Sequence, residues 1–212
     1  MSSSKEPENP KTKSKFSRRG FLTSVGVTSG ALTSGILETE AEAQSTAKLS
    51  GPGEVPITLQ INGKATRVSV EPRSTLLDTL RHRLDLTAAK RVCDRGTCGA
   101  CTVIVDGKVM YSCTVLAIDA QGRQITTLEG FSTERKPHAV TKAFVNNDAQ
   151  QCGYCTPGFV VAAKGFLDRN PNPTYDEVKK GLGGNLCRCG TYVGVRKAVL
   201  EAAKEIKGGN NA

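Results

Sequence analysis

Apolar residues alternate with polar ones from Ile57 through Leu59 to Ile61, and again at Val68 and Val70, with Asn62-Gly63 between the two runs. A period of two marks strands with one buried face, and Asn-Gly is a strong hairpin signal, so a β-hairpin is expected here. After Pro72 the period changes. Leu76, Leu77, Leu80 and Leu84 recur at helical spacing, behind a Ser74-Thr75 N-cap with Asp78 in the first turn. Strand character returns over 102–105 and 108–111, split by an Asp106-Gly107 turn, and once more over 124–128. From residue 131 the pattern is helical. Helices are expected over 140–147, from Pro157 to about 170, over 175–182 behind a Thr174/Glu177 capping box, and from 192 to about 206.

These runs divide the chain. Residues 56–130 read as a small mixed sheet crossed by one helix, and 131–207 as an all-α unit, so the fold class is α+β. Residues 208–212 are a tail. Residues 44–55, with Gly51-Pro52-Gly53, read as a linker. Residues 1–43 are different in kind. A polar start leads to Ser17-Arg18-Arg19-Gly20-Phe21-Leu22, then a weakly apolar run over 25–37 and Ala41-Glu42-Ala43. The Arg pair and the A-x-A site resemble a twin-arginine signal peptide, with a mature start near Gln44. The apolar run is too short and too rich in Gly, Ser and Thr for a stable membrane span.

The cysteines change the picture most. There are eight, in two groups of four. Cys93, Cys98 and Cys101 follow C-x4-C-x2-C, and Cys113 comes eleven residues later. That is the plant-type spacing for a [2Fe–2S] cluster, with three thiolates on one loop and a fourth on a separate segment. Gly96 and Gly99 suit such a loop, because they allow φ > 0 and let backbone N–H groups approach the sulfides. Structural zinc would favour paired C-x2-C knuckles instead.

The second group, Cys152, Cys155, Cys187 and Cys189, pairs C-x2-C with a distant C-x-C. Both pairs precede helix starts, whose free N–H groups and partial positive charge favour thiolates and an anionic cluster. By spacing alone, zinc stays open for this group. Four disulfides are the alternative for an exported chain, though Cys187 and Cys189 are too close to pair with each other easily.

Charge adds little. The net charge is +9, from 29 basic and 20 acidic residues, and the residues after 43 carry +8 of it. With no Trp and no aromatic–basic platform, no nucleic-acid partner is expected. No Ser–His–Asp arrangement, phosphate loop or nucleotide fingerprint appears, so no catalytic residue is expected on this chain. His82 and His138 read as ordinary polar residues, His138 near a helix start.

Gln151-Cys-Gly-Tyr-Cys-Thr-Pro-Gly158 and Gly184-Asn-Leu-Cys-Arg-Cys-Gly190, behind the C-x4-C-x2-C-x11-C segment, closely resemble the iron–sulfur subunit of molybdenum hydroxylases. These are the xanthine dehydrogenase and aldehyde oxidoreductase relatives. The resemblance spans about 56–205. It implies a plant ferredoxin-like β-grasp domain followed by a four-helix-bundle domain, with two [2Fe–2S] clusters. The first would be held by Cys93, Cys98, Cys101 and Cys113, the second by Cys152, Cys155, Cys187 and Cys189. It also implies a large partner chain with a molybdopterin cofactor, which Gln151 would contact, and FAD on a flavin subunit or a cytochrome as acceptor. The enzyme class implied is an oxidoreductase complex, with electron transfer as this chain's share and aldehydes or N-heterocycles as substrates of the complex. A freestanding two-cluster ferredoxin is the alternative.

Two positions depart from the family pattern. Val92 stands where Gly is usual before the first cysteine, and Gly190-Thr191-Tyr192 stands where Thr-Gly-Tyr is common. The leader fits the periplasmic branch. Clusters are inserted in the cytoplasm and the twin-arginine route exports folded proteins, so leader and cysteines support each other.

Overall fold

The computed structural model describes residues 51–209. The expected leader (1–43), residues 44–50 of the linker and residues 210–212 of the tail lie outside the described residues.

The first hairpin forms where the alternation places it. β1 (Val55–Ile61) and β2 (Lys64–Val70) pair antiparallel, with Ile61 opposite Lys64. Asn62 (φ 52°) and Gly63 (φ 77°) take the two left-handed positions of the turn. Asn62 has a second task. Its backbone N–H donates to the Ile125 carbonyl, and its side chain exchanges hydrogen bonds with Thr127 at 2.9 and 3.1 Å. The turn is thereby tied to the chain leaving the sheet.

β3 (Thr102–Val105) and β4 (Lys108–Tyr111) form the second hairpin, and β5 (Gln124–Thr126) lies parallel to β1 and antiparallel to β3. The strand order is β2-β1-β5-β3-β4. The last strand is shorter than the expected 124–128. Thr127 is buried and Leu128 opens a single helical turn, α2 (Leu128–Phe131).

The helix across the sheet also differs from expectation. Thr75 caps it by accepting from the Asp78 backbone N–H. α1 (Leu76–Asp78) then widens into a π-helical stretch, Thr79–Arg83. The Thr79 hydroxyl bonds back to the Thr75 carbonyl, which competes with the regular ladder. Leu76, Leu77 and Leu80 are fully buried against the sheet, whereas Leu84 packs only at its margin.

The helical half contains α3 (Ala139–Asn146), α4 (Thr156–Leu167), α5 (Tyr175–Gly181) and α6 (Tyr192–Gly209). Thr174 and Glu177 form the expected capping box of α5. The core of this half gathers Val140, Phe144, Phe159, Val178, Val195 and Val199. No helix among the described residues is long and apolar enough to cross a membrane.

The two halves belong to one compact unit. All four residues of β3 are buried because both faces of the strand are covered. Val103 and Val105 face the ferredoxin-like core. Ile104 and Val109 lie against α4 at Gly165, whose missing side chain gives them room.

His138 is the N-cap of α3. Its Nδ1 accepts from the Val140 backbone N–H at 3.2 Å, which requires that nitrogen to be unprotonated. Burial first, then Lys164, depresses its pKa below the ordinary 6.5. A base whose folded pKa is lowered holds its full stabilisation above the unfolded value and loses it as pH falls through the folded one. Denaturant unfolding of H138N, which keeps a capping side chain, is expected to fall off less steeply with acid below pH 6.5 than the native chain. H138A is expected to cost about 1 kcal/mol at neutral pH through the lost cap.

Candidate metal centres

The first cysteine loop runs between α1 and β3. Its backbone is shaped by left-handed residues: Asp94 at φ 56°, Gly96 at 72° and Gly99 at 70°. A side chain at Gly96 would strike Thr114, and one at Gly99 would strike Asn185 and the Gly184 carbonyl. These turns bring the backbone against sulfur. Gly96 N–H donates to Cys113 Sγ at 3.3 Å and Thr97 N–H to Cys93 Sγ at 3.4 Å. Arg91 pairs with Asp78 of α1 and lies 3.7 Å from Asp94, anchoring the loop's start. Val92, where the family usually has Gly, is 56% exposed, so its β-branch points into open space.

All eight cysteines are free thiols. Burial works to raise Cys93, yet hydrogen bonds from Thr97, Arg95 and Cys98 outweigh it and hold the thiol at about 6. Burial, then the bond to Cys101, pushes Cys113 up to about 11. The Tyr111 phenol is also raised, by burial and then by the thiolates of Cys101, Cys98 and Cys93.

The second site is built the same way at two helix starts. Cys155 is the N-cap of α4, with Pro157 in its first turn. Cys187 and Cys189 lie on the loop before α6, where Gly190 takes φ 79°. Burial opposes the Thr191 hydrogen bonds at Cys187, but these hold it at about 7. Burial and the bond to Cys187 push Cys155 up to about 12. The Tyr154 backbone lowers Cys152.

Each set of four thiols comes from two separate stretches of chain, three from one loop and one beyond β4 in the first site, two and two in the second. Two thiolates per metal is the ligand set of a two-iron rhomb, and the left-handed turns leave room where a Cβ would intrude. The residues fit a [2Fe–2S] group at each site.

Gln151 is exposed beside Cys152, which is also exposed. His82 is solvent-facing, 4.0 Å from Asp78, and His138 caps α3; neither belongs to a thiol site. Sequence reasoning missed four residues that finish the sites. Thr191 Oγ1 lies 3.2 Å from Cys187 Sγ, and the Tyr192 hydroxyl accepts from Cys187 N–H at 2.9 Å. Tyr111 and Asn185 bond across to the opposite half. The Gly-Thr-Tyr variant held the clue to the first two, since a hydroxyl and a phenol directly follow the cysteine loop.

Comparisons with known proteins agree with this geometry. A family described as "2Fe-2S iron-sulfur cluster binding domain" matches residues 59–127, and one described as "[2Fe-2S] binding domain" matches 127–200. The chain is 43% identical over 151 residues to the nicotinate dehydrogenase small FeS subunit of Eubacterium barkeri, covering 71% of this chain and 96% of that one. It is 40% identical over 171 residues to the aldehyde oxidoreductase iron–sulfur-binding subunit PaoA of Escherichia coli, covering 74% and 75%. Quinoline 2-oxidoreductase from Pseudomonas putida 86 superposes with a TM-score of 0.66 at 42% identity, over 72% of this chain and 97% of that chain. With two matched cluster-binding domains and relatives matched over nearly their whole length, this chain belongs to the family of two-[2Fe–2S] electron-transfer subunits of molybdenum hydroxylases.

Proposed function

We propose that Cys93, Cys98, Cys101 and Cys113 hold an outer [2Fe–2S] centre, and that Cys152, Cys155, Cys187 and Cys189 hold an inner one facing a molybdopterin-bearing partner chain. The observation that carries this is that each set of four free cysteines sits on loops shaped by left-handed glycines, with the Gly96 and Thr97 N–H groups directed at the sulfurs of the first set and the Thr191 hydroxyl against Cys187 of the second. When bound, the two groups supply one-electron transfer between the partner's molybdenum site and an acceptor, either an FAD-bearing subunit or a cytochrome. This chain's own residues hold and tune them. N–H groups of Gly96 and Thr97 aim at the outer sulfurs, and Thr191 at the inner ones, which favours the thiolate form needed for ligation.

The inner site suits a docked partner. Cys152 and Gln151 are open to solvent, and Val145, Tyr154, Leu186 and Val193 are apolar side chains left exposed on the segments around it. Gln151 is assigned the hydrogen bond to the partner's molybdopterin, a role supported by the family resemblance and by its exposure beside Cys152. The relatives' names point to nicotinate, aldehydes and quinoline, so the complex is assigned an aldehyde or an N-heterocycle as substrate. The Arg18-Arg19 leader and its Ala41-Glu42-Ala43 site support export by the twin-arginine route to the periplasm.

The test is purification of the full chain from its native host, with iron, labile-sulfide and molybdenum analysis and low-temperature EPR after dithionite reduction. Two distinguishable S = 1/2 signals and stoichiometric recovery of a large molybdenum chain are expected. Recovery of the two-centre chain alone would favour a freestanding carrier. Zinc without labile sulfide would overturn the assignment.

A further inference from the structure

Asn185 lies two residues before Cys187, yet its side chain reaches into the other half of the protein. It is only 5% exposed. Its Nδ2 donates to the Gly99 carbonyl at 2.9 Å and to Thr102 Oγ1 at 3.2 Å. The Thr102 hydroxyl donates to the same Gly99 carbonyl at 2.5 Å, closing a small buried ring of hydrogen bonds. On either side of Asn185 the backbone is held too. The Tyr111 hydroxyl donates to the Gly184 carbonyl at 2.9 Å, and Leu186 N–H donates to the Cys98 carbonyl at 2.9 Å.

Gly99 completes the fit. At φ 70° it presents no side chain, and a Cβ there would come within 2.6 Å of the Asn185 amide. A buried amide is costly unless its hydrogen bonds are made, and an apolar residue could fill this volume without that cost. The polar side chain is therefore spent on one thing: the position of the peptide between Cys98 and Cys101, relative to the segment that leads into Cys187.

We propose that Asn185 is a positioning residue that sets the spacing between the two thiol sites by pinning the Cys98-Gly99 backbone to the Gly184-Asn185-Leu186 segment. The inference rests on the cysteine assignment above. Electronic and magnetic coupling between two redox groups falls steeply with separation, so a residue that fixes the separation governs how well they communicate.

The experiment uses the full chain with its native partners, as wild type, N185A and N185D. N185D keeps the shape but removes the donor. Iron and labile sulfide are measured first. The fully reduced proteins are then compared by EPR near liquid-helium temperature, where interaction between two S = 1/2 centres splits their signals, and the outer centre's midpoint potential is titrated. Both variants are expected to keep wild-type iron, to lose or reduce the splitting, and to shift the outer potential. Unchanged splitting and potential with full iron content, even alongside lowered thermal stability, would show a purely structural role and overturn the proposal. So would loss of iron from both variants, which would make Asn185 an assembly residue. A wild type lacking the two signals would sink the cysteine assignment itself and this proposal with it, before any variant is compared.

Discussion

Serine in place of Cys187 is expected to remove the inner centre, halving the iron and labile sulfide of the chain and leaving one reduced EPR signal. Cys187 is buried within the helical core, with Thr191 Oγ1 3.2 Å from its sulfur. An alkoxide ligand is harder and far more basic than a thiolate, so the substitution fails chemically even where it fits sterically. Substrate-driven reduction of the acceptor by the complex is expected to fall by more than about a hundredfold, since even changes outside the ligand shell cost ten- to a hundredfold. Dithionite, which needs no partner, is expected still to reduce the outer centre. Cys113→Ser is the mirror experiment, with the inner centre retained and reduced by substrate while the acceptor stays oxidised. If both variants kept full iron and full activity, Cys113 and Cys187 would not be ligands and the assignment of both centres would fall. The two substitutions strike different cores, because Cys113 packs in the sheet core and Cys187 in the helical core.

Much of this arrangement was legible in the sequence, for physical reasons that particular residues make plain. Asn62-Gly63 and Asp106-Gly107 fall at two-residue turns because their φ values of about 50° and 75° are those Asn, Asp and Gly tolerate best. Thr174 and Glu177 announce α5 because the two side chains satisfy each other's backbone donors. Local chemistry of this kind is written in adjacent residues.

Most of what was not legible is long-range. The widening of α1 has no sequence mark, because the back-bond of Thr79 to the Thr75 carbonyl is one that threonine makes in regular helices too. Thr127 ends β5 early because its partner is Asn62, sixty-five positions away. The junction between the halves was missed for the same reason. Asn185 reads as an ordinary loop residue until Gly99 is placed beside it. One signal was available: 103–105 reads Val-Ile-Val, apolar without alternation, which is the mark of a strand covered on both faces. It implies that the second half folds onto the sheet.

That junction sets the second large effect. Gly158 lies in the first turn of α4, where glycine is intrinsically a poor choice and alanine would favour the helix by about 1 kcal/mol. Yet a Cβ at Gly158 would lie 2.5 Å from the Gly99 carbonyl oxygen and 3.1 Å from the Ala100 backbone. Both obstacles are main chain, held by Asn185, Thr102 and the Lys90 N–H bond to the Ala100 carbonyl, so neither side can yield cheaply. Overpacking of this sort costs about 3 kcal/mol, which outweighs the gain in helix propensity and reverses its sign. Gly158→Ala is therefore expected to lower the midpoint of denaturant unfolding and to loosen the first cysteine loop, seen as faster loss of iron to a chelator. Gly208→Ala is the control. It lies in α6 with nothing within 4 Å of the added carbon, so the same substitution is expected to be neutral or slightly stabilising there. Equal effects at the two positions would mean that α4 does not press on the Gly99 peptide. A large loss at Gly158 alone would show that the cysteine loop of one half is held in shape by the first turn of a helix that begins at a cysteine of the other.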